Sequence, residues 1–161
     1  MTIAAWKSVL VRDLQGARAQ LAAYDVDAQV WALPPGLSNS AGTLALHLAG
    51  NLQHFIGAEL GDTGYVRDRD AEFNARDLSR PELDARLAAA VETVDRTLAA
   101  LAPGRLEGAF TIAGVELPTR VALAHLAAHL AYHLGQMDYH RRVVTGRADA
   151  AGMVSVKALL G

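Results

Sequence analysis

The chain has 161 residues, a formal net charge of −2 at pH 7, and 52% hydrophobic and 20% charged residues. This length can bury a core, and the composition is that of a globular protein rather than a disordered one. The lack of cysteine excludes disulfides, thiolate zinc sites and a cysteine nucleophile, and the slightly acidic balance argues against nucleic-acid binding.

The sequence shows no features of a membrane or secreted protein. No apolar run is long enough to span a bilayer, and the first residues lack a basic start followed by an apolar region. We therefore expect a cytoplasmic protein that contacts neither membrane nor nucleic acid. Because we find no repeat, linker or low-complexity segment, we expect residues 1–161 to form a single domain.

The first part of the chain predicts a long helix and a break. Apolar residues recur at steps of three and four over residues 2–24, with charged residues between them. A short helical turn is expected within residues 25–32. Residues 33–42 contain Pro-Pro-Gly, which breaks a helix, and Asn39 or Ser40 can cap the next one.

The second predicted helix covers residues 43–60. Its inner face is formed by Leu44, His47, Leu48, Asn51, Leu52, Phe55 and Ala58. Gly61 is the expected C-cap. Residues 61–78 are polar, with a charged run at residues 67–70, and predict a loop; a loop of this length in a compact domain is often functional.

The second half of the chain predicts two further helices. Ser79 and Glu82 form a capping-box pair that opens a helix over residues 79–102. Residues 110–112 and 115–117 flank Ala113-Gly114 and predict a small hairpin. The last helix begins at residues 118–119 and ends at Gly146. The tail beyond it has apolar stretches at residues 153–156 and 158–160, and we expect it to pack on the bundle or on a second subunit of a homodimer.

These elements predict an all-α fold. Four amphipathic helices, with a long crossover loop between the second and third and a small hairpin before the fourth, are typical of a four-helix bundle.

The last helix, within residues 121–145, holds four of the six histidines. His125, His129 and His133 follow at steps of four, which places them on one helix face, and Gln136 and His140 continue that stripe. Two histidines at this spacing can bind one metal ion, provided that a third ligand comes from elsewhere. The alternative is a bundle without metal, in which each imidazole is an ordinary buried polar group with a hydrogen-bond partner.

The second helix can supply the third ligand from either His47 or His54. Seven residues separate the two, about 10 Å along a helix, so one ion cannot easily take both. Three neutral imidazoles suit Zn²⁺, Ni²⁺ or Fe²⁺ and leave positions open for water or substrate, as in catalytic sites. Other site types fit less well, because the sequence lacks the Glu-x-x-His pairs of di-iron bundles, the HExxH motif and a phosphate-binding loop.

The string HLAAHLAYHLGQMDYHRR resembles the DinB-like superfamily, whose last helix typically carries His-x-x-x-His-x-Gly-Gln. His129, His133, Gly135 and Gln136 match that motif in place. The family's other ligand lies in the second helix, where LALHLAGNLQHF offers His47. The resemblance extends to the helix order, the long crossover and the hairpin.

The resemblance implies a bundle with one divalent ion, zinc or nickel, bound by His47, His129 and His133. Several relatives resemble transferases that use a low-molecular-weight thiol such as bacillithiol, mycothiol or glutathione, and one branch isomerises maleylpyruvate. The implied function is therefore a metal-dependent thiol S-transferase or hydrolase that acts on a small electrophilic molecule. The alternative is a non-enzymatic metal-binding protein of the stress response.

Four further side chains are expected to line or support the pocket without binding the ion. They are His54, His125, Asn51 and Gln136. A pocket histidine can act as a general base, or it can simply hydrogen-bond a neighbouring helix. The sequence itself names no catalytic residue.

Overall fold

The computed structural model describes residues 1–152 and 154–159. The chain is mostly helical, as predicted, and its helices are α1 Ile3–Ala22, α2 Asp27–Trp31, α3 Ala41–Leu52, α4 Glu59–Gly61, α5 Arg69–Asn74, α6 Arg80–Ala100 and α7 Thr119–Thr145. A π-helical segment, Gln53–Ala58, joins α3 to α4, and 3₁₀ turns cover Pro103–Glu107 and Val156–Leu159. Within the described ranges, no helix is both long and apolar enough to cross a membrane.

The predicted hairpin is confirmed. Strands β1 Ala109–Ile112 and β2 Val115–Pro118 pair antiparallel, with Phe110 opposite Leu117. The two-residue connection Ala113-Gly114 has positive φ at both positions, as a tight hairpin turn requires. The hairpin leads directly into α7 and so fixes where that helix begins.

Several helix ends follow from the local sequence. Ser40 accepts a hydrogen bond from the Thr43 N–H at 3.1 Å and caps α3, and Ser79 with Glu82 forms the predicted capping box of α6. Gly146 ends α7 in a left-handed conformation at φ 70°. These signals lie within a few residues of each helix end, which is why the sequence reveals them.

The four long helical segments surround one apolar core. Both α1 and α3 contact α6 and α7, so each segment has two neighbours. The side chains between them are fully buried and include Leu10, Leu14, Leu48, Leu87 and Leu130. This arrangement places the inner face of α3 against α7, which brings together the two helices that hold the candidate ligands.

The crossover differs from the loop predicted for residues 61–78. It contains the short helix α5, whose N-cap is Asp68, accepting from the Ala71 N–H at 2.9 Å. Glu72 within α5 is buried, and α5 contacts α3. The prediction was wrong for residues 69–74 because six residues are too few for an apolar period to appear, and the helix is held by tertiary contacts.

The predicted C-cap at Gly61 is also wrong. Asp62 adopts the left-handed conformation, at φ 49°, while Gly61 is still helical. A Cβ at Gly61 would lie 2.5 Å from the Thr97 Oγ1 on α6. The glycine therefore permits close packing of α4 on α6, and the turn is made by the next residue.

The C-terminal tail packs back on the helices, as expected. Arg141 is fully buried, its Nε donates to the Gln20 Oε1 at 2.8 Å, and its Nη2 donates to the Asp149 carbonyl. Gln20 also donates to the Ala151 carbonyl. Part of the apolar tail, Met153 and Leu160, lies outside the described residues together with Gly161.

Candidate metal centre

Three histidines from α3 and α7 converge on one point. The His129 Nε2 lies 3.2 Å from the His47 Nε2 and 3.1 Å from the His133 Nε2, and one ligand atom from each residue lies within 4.8 Å of the others. Tetrahedral zinc with Zn–N bonds of about 2.0–2.1 Å places its nitrogens about 3.3 Å apart. The three imidazoles therefore lie close enough to hold a metal ion.

The local structure explains this convergence. The α-helical step of four puts His129 and His133 on the face of α7 that α3 contacts, and both are half-buried. His47 is buried at 7% exposure on the inner face of α3. The cluster thus has one buried candidate ligand, His47, and two that reach the protein surface.

Hydrogen bonds fix the protonation pattern of two of the rings. The His47 Nδ1 lies 3.0 Å from the Glu72 Oε2, and the His133 Nδ1 lies 2.6 Å from the Gln136 Oε1. Both oxygens can only accept, so each ring carries its proton on Nδ1 and leaves a lone pair on Nε2. These two lone pairs face the Nε2 of His129, and a single proton on that atom cannot satisfy both.

The environment of the third ring, His129, favours its neutral form. Burial, followed by the neighbouring charges of His133, His47, His125 and Arg67, lowers the pKa of His129 to about 4. Burial likewise lowers the pKa of His133, against a hydrogen bond with Gln136 that raises it. Both rings are therefore neutral at pH 7, which is the form that binds metals.

Two buried polar atoms near the cluster lack partners in the described part of the chain. They are the His129 Nδ1 and the Asn51 Oδ1. Asn51 follows His47 by one helical turn on α3, so its side chain points to the same side as that ligand. Most buried polar atoms in proteins have a hydrogen-bond partner, so an unpaired one calls for an explanation such as a bound water or ion.

The carboxylate beside His47 belongs to a further ion pair that the sequence analysis missed. Arg67 donates from Nε to the Glu72 Oε1 and from Nη2 to the Glu72 Oε2, each at 2.7 Å. Burial favours the protonated carboxyl, but the hydrogen bonds from Arg67 and His47 outweigh it and lower the pKa of Glu72. Both residues lie within residues 61–78, which the polar composition predicted to be a loop.

Comparison with known proteins identifies the family of the chain. The chain matches the family described as the DinB superfamily over residues 2–137. The chain belongs to the DinB superfamily. The matched region includes α3, α7 as far as Met137 and the three converging histidines. No curated protein and no solved structure gives a significant match.

The DinB chain has two further histidines close to the centre in sequence. His125 is exposed, with its ring centroid 6.1 Å from that of His129, and His54 is half-buried against Phe55 at 4.7 Å. Neither contributes to the group of ligand atoms that could share an ion. Gln136 lies where expected, bonded to His133.

His140, which continues the histidine stripe of this DinB chain, has a separate role. It is buried at 2% exposure, its Nδ1 lies 2.6 Å from the Tyr24 hydroxyl, and its Nε2 lies 2.8 Å from the Ala32 carbonyl. A carbonyl only accepts, so the Nε2 carries the proton and the Nδ1 accepts from the tyrosine. This residue links α7 to the residues that directly follow α1 and α2.

The surroundings of the three converging histidines are partly aromatic and partly open. The Phe73 ring lies 5.0 Å from that of His47, and the exposed Tyr132 ring lies 5.2 Å from that of His133. A cavity of about 280 Å³ adjoins Gln136 and is lined on its apolar side by Leu44, Tyr139 and Val143. None of the three converging histidines lines this cavity, and solvent reaches the cluster where His129 and His133 are half-buried.

Proposed function

We propose that the protein binds one divalent metal ion through His47, His129 and His133. The observation that supports this most directly is the convergence of three Nε2 atoms, two of which carry lone pairs fixed by hydrogen bonds at Nδ1. Imidazole nitrogens suit both Zn²⁺ and Ni²⁺. The geometry fits either ion, and zinc or nickel is what the family resemblance implies.

The scaffold that we propose for this site is a single four-helix bundle. The segments are α1, α3 with its extension into α4, α6 and α7, and each contacts two others around the shared core. In such bundles, metal sites are built from side chains on facing helices. His47 on α3 and the pair on α7 are placed in this way.

We further propose that the site is catalytic and transfers a low-molecular-weight thiol to a small electrophilic molecule. Three protein ligands leave a coordination position free, and the half-buried state of His129 and His133 gives access to it. A bound divalent ion supplies Lewis acidity, which holds a thiol as the thiolate at neutral pH.

The chain's own residues then have defined tasks. His129 and His133 stay neutral, and Gln136 and Glu72 hold two of the rings in orientation. In this proposal, the task of accepting the thiol proton falls to His125, which is exposed beside His129. In the balanced reaction the new bond joins the sulfur to the electrophile, and the leaving group departs with the proton that the thiol lost.

The metal site is tested by metal analysis of protein purified without a histidine tag. We expect one equivalent of Zn²⁺ or Ni²⁺, and loss of it in the variants His47→Ala, His129→Ala and His133→Ala. The matched controls His54→Ala and His125→Ala should keep a full equivalent. If His129→Ala keeps its metal while His125→Ala loses it, the ligand pair on α7 lies one turn earlier.

The transferase activity needs a separate assay. Metal-loaded protein is incubated with glutathione, mycothiol or bacillithiol and a chromogenic aryl halide, and thiol consumption is followed. We expect turnover that is absent in His47→Ala. Equal rates for the two proteins would exclude the transferase proposal, while the metal site would still stand.

A further inference from the structure

We propose that Glu72 is a positioning residue of the metal centre, acting through His47, and that Arg67 and Gly50 hold its carboxylate in place. The inference rests on the proposed metal site and adds a part of the chain, the crossover, that the family motif does not contain. According to this inference, the crossover determines how tightly the protein binds the ion, although no residue of the crossover is a ligand.

The first support is the hydrogen bond between Glu72 and His47. The Oε2 lies 3.0 Å from the Nδ1, and both side chains are nearly inaccessible, at 6% and 8% exposure. An ionised carboxylate cannot donate, so the proton of the ring is held on Nδ1 and the lone pair is directed from Nε2. A carboxylate in this position also makes a metal-bound imidazole a better electron donor.

The second support is the way in which the carboxylate is fixed. Arg67 binds it as a two-pronged fork at 2.7 Å on each side, and fork geometry specifies orientation as well as attraction. The guanidinium also balances the charge of Glu72, so the pair adds no net charge next to the ion. The Oε2 that accepts from the Arg67 Nη2 also receives the His47 Nδ1 proton.

The third support is the space that Gly50, which has no side chain, leaves on the surface of α3 for the Glu72 carboxylate. A Cβ on Gly50 would lie 2.1 Å from the Glu72 Oε1, a distance that no side chain can adopt. Gly50 is three residues after His47, so one turn of α3 carries both the ligand and the space for its partner. Phe73, the next residue of α5, packs on the His47 ring at 5.0 Å.

The contrast with His133 shows what this arrangement adds. The His133 Nδ1 is held by the neutral amide of Gln136, which is exposed, whereas the His47 Nδ1 is held by a buried charged group. Hydrogen bonds to a charged group are about twice as strong as those between neutral groups. His47 is therefore the most strongly oriented of the three rings.

The experiment compares Glu72→Ala, Glu72→Gln and Gly50→Ala with the wild type. Zn²⁺ dissociation constants are measured by competition with a chromophoric chelator, and Co²⁺-loaded samples give the visible spectrum of the centre. We expect Glu72→Ala to weaken binding about 10- to 100-fold and to change the Co²⁺ spectrum, because loss of such partners has this effect in other metal sites. Glu72→Gln should lose less, and Gly50→Ala should weaken binding although it removes no charge.

Asp84→Asn is the matched control. Arg18 binds the Asp84 carboxylate as a fork at 2.6 and 2.8 Å, but that pair joins α1 to α6 and touches no histidine. We expect the Zn²⁺ affinity of the Asp84→Asn variant to equal that of the wild type. The ring of His47 gives a second readout: ¹⁵N NMR of the metal-free protein should show the Nδ1–H form in the wild type and a mixture of both forms in Glu72→Ala.

The outcomes separate this inference from the proposed function. Wild-type affinity, spectrum and ring protonation in the folded Glu72 variants would overturn it, even if their thermal stability fell, because Arg67–Glu72 would then be a structural ion pair only. A wild-type protein that binds no ion would overturn the proposed function as well. If Glu72→Ala does not fold, Glu72→Gln and Gly50→Ala decide.

Discussion

The Nε2 atoms of His47 and His129 lie 3.2 Å apart, although 82 positions separate the two residues in the chain. The two nitrogens lie this close, and partly buried, because the inner face of α3 packs on α7. Several measurable consequences follow from this contact and from the buried groups around it.

Metal binding should stabilise the fold without being needed for it. The leucines that fill the core are fully buried and belong to all four long helical segments, so they do not depend on the histidine cluster. An ion that binds only the native state adds about 2.7 kcal/mol at a concentration of one hundred times its Kd. Thermal melts with Zn²⁺ should therefore shift to higher temperature than melts with chelator. Loss of helical circular dichroism on chelation alone would contradict this prediction.

Replacing Asn51 by leucine should stabilise the metal-free protein. The Asn51 Oδ1 is buried without a partner in the described part of the structure, and leucine has a similar size. Removing an unsatisfied buried oxygen should raise the free energy of unfolding by about 1–3 kcal/mol. Urea denaturation of Asn51→Leu and the wild type in chelator measures the difference. A lower stability of the variant would show that the Asn51 oxygen has a partner in solution.

The stability of the metal-free protein should fall as the pH drops below 6.5. Burial lowers the pKa of His140 from its ordinary value of 6.5, although a hydrogen bond to the Ala32 carbonyl raises it in part. The unfolded chain therefore binds more protons than the folded one below that pH, and acid favours unfolding. We expect the decrease in unfolding free energy between pH 7 and pH 5 to be smaller in His140→Gln.

Tyr24→Phe serves as the control for this titration. It removes the hydroxyl that donates to His140 but keeps the titrating imidazole, so most of the pH dependence should remain. The pKa values of His129 and His133 are also lowered in the folded protein. The unfolding free energy of every variant should therefore keep some dependence on pH. An unchanged slope in His140→Gln would mean that this ring takes up its proton equally readily in the folded and the unfolded protein.

Arg141→Met should release the C-terminal tail. Arg141 is fully buried and donates hydrogen bonds to the Gln20 side chain and the Asp149 carbonyl. Methionine can fill the same space but donates no hydrogen bond. Leaving these acceptors unpaired should cost about 1–3 kcal/mol. Limited proteolysis should then cleave after Arg147 faster than in the wild type, while Zn²⁺ content stays the same. Equal cleavage rates would show that other contacts hold the tail.

The sequence predicts those features that depend on nearby residues. The capping pair of Ser79 and Glu82, the Gly146 helix end and the hairpin are local patterns, and the structure contains all of them. The pairing of His129 with His133 is likewise a matter of helical period. His47 could be chosen over His54 only through the family motif, because both lie on the same side of the predicted helix.

The remaining features depend on contacts between distant parts of the chain. Glu72 is buried because Gly50, in another helix, leaves room for it, and no period or motif in the crossover shows this. Gly61 suggested a helix end, but packing on Thr97 explains the glycine. The π-helical segment Gln53–Ala58 has no sequence signal that we recognise.

The contact between α3 and α7 would allow a metal ion to cross-link a chain that has no cysteine. An ion held by His47 and His129 closes a loop of 82 residues. By the chain-entropy relation used for disulfides, closing a loop of that length restricts the unfolded chain by about 4–5 kcal/mol if the link persists. Unlike a disulfide, a cross-link through the proposed ion would be made and broken by metal supply and not by the redox state of the compartment.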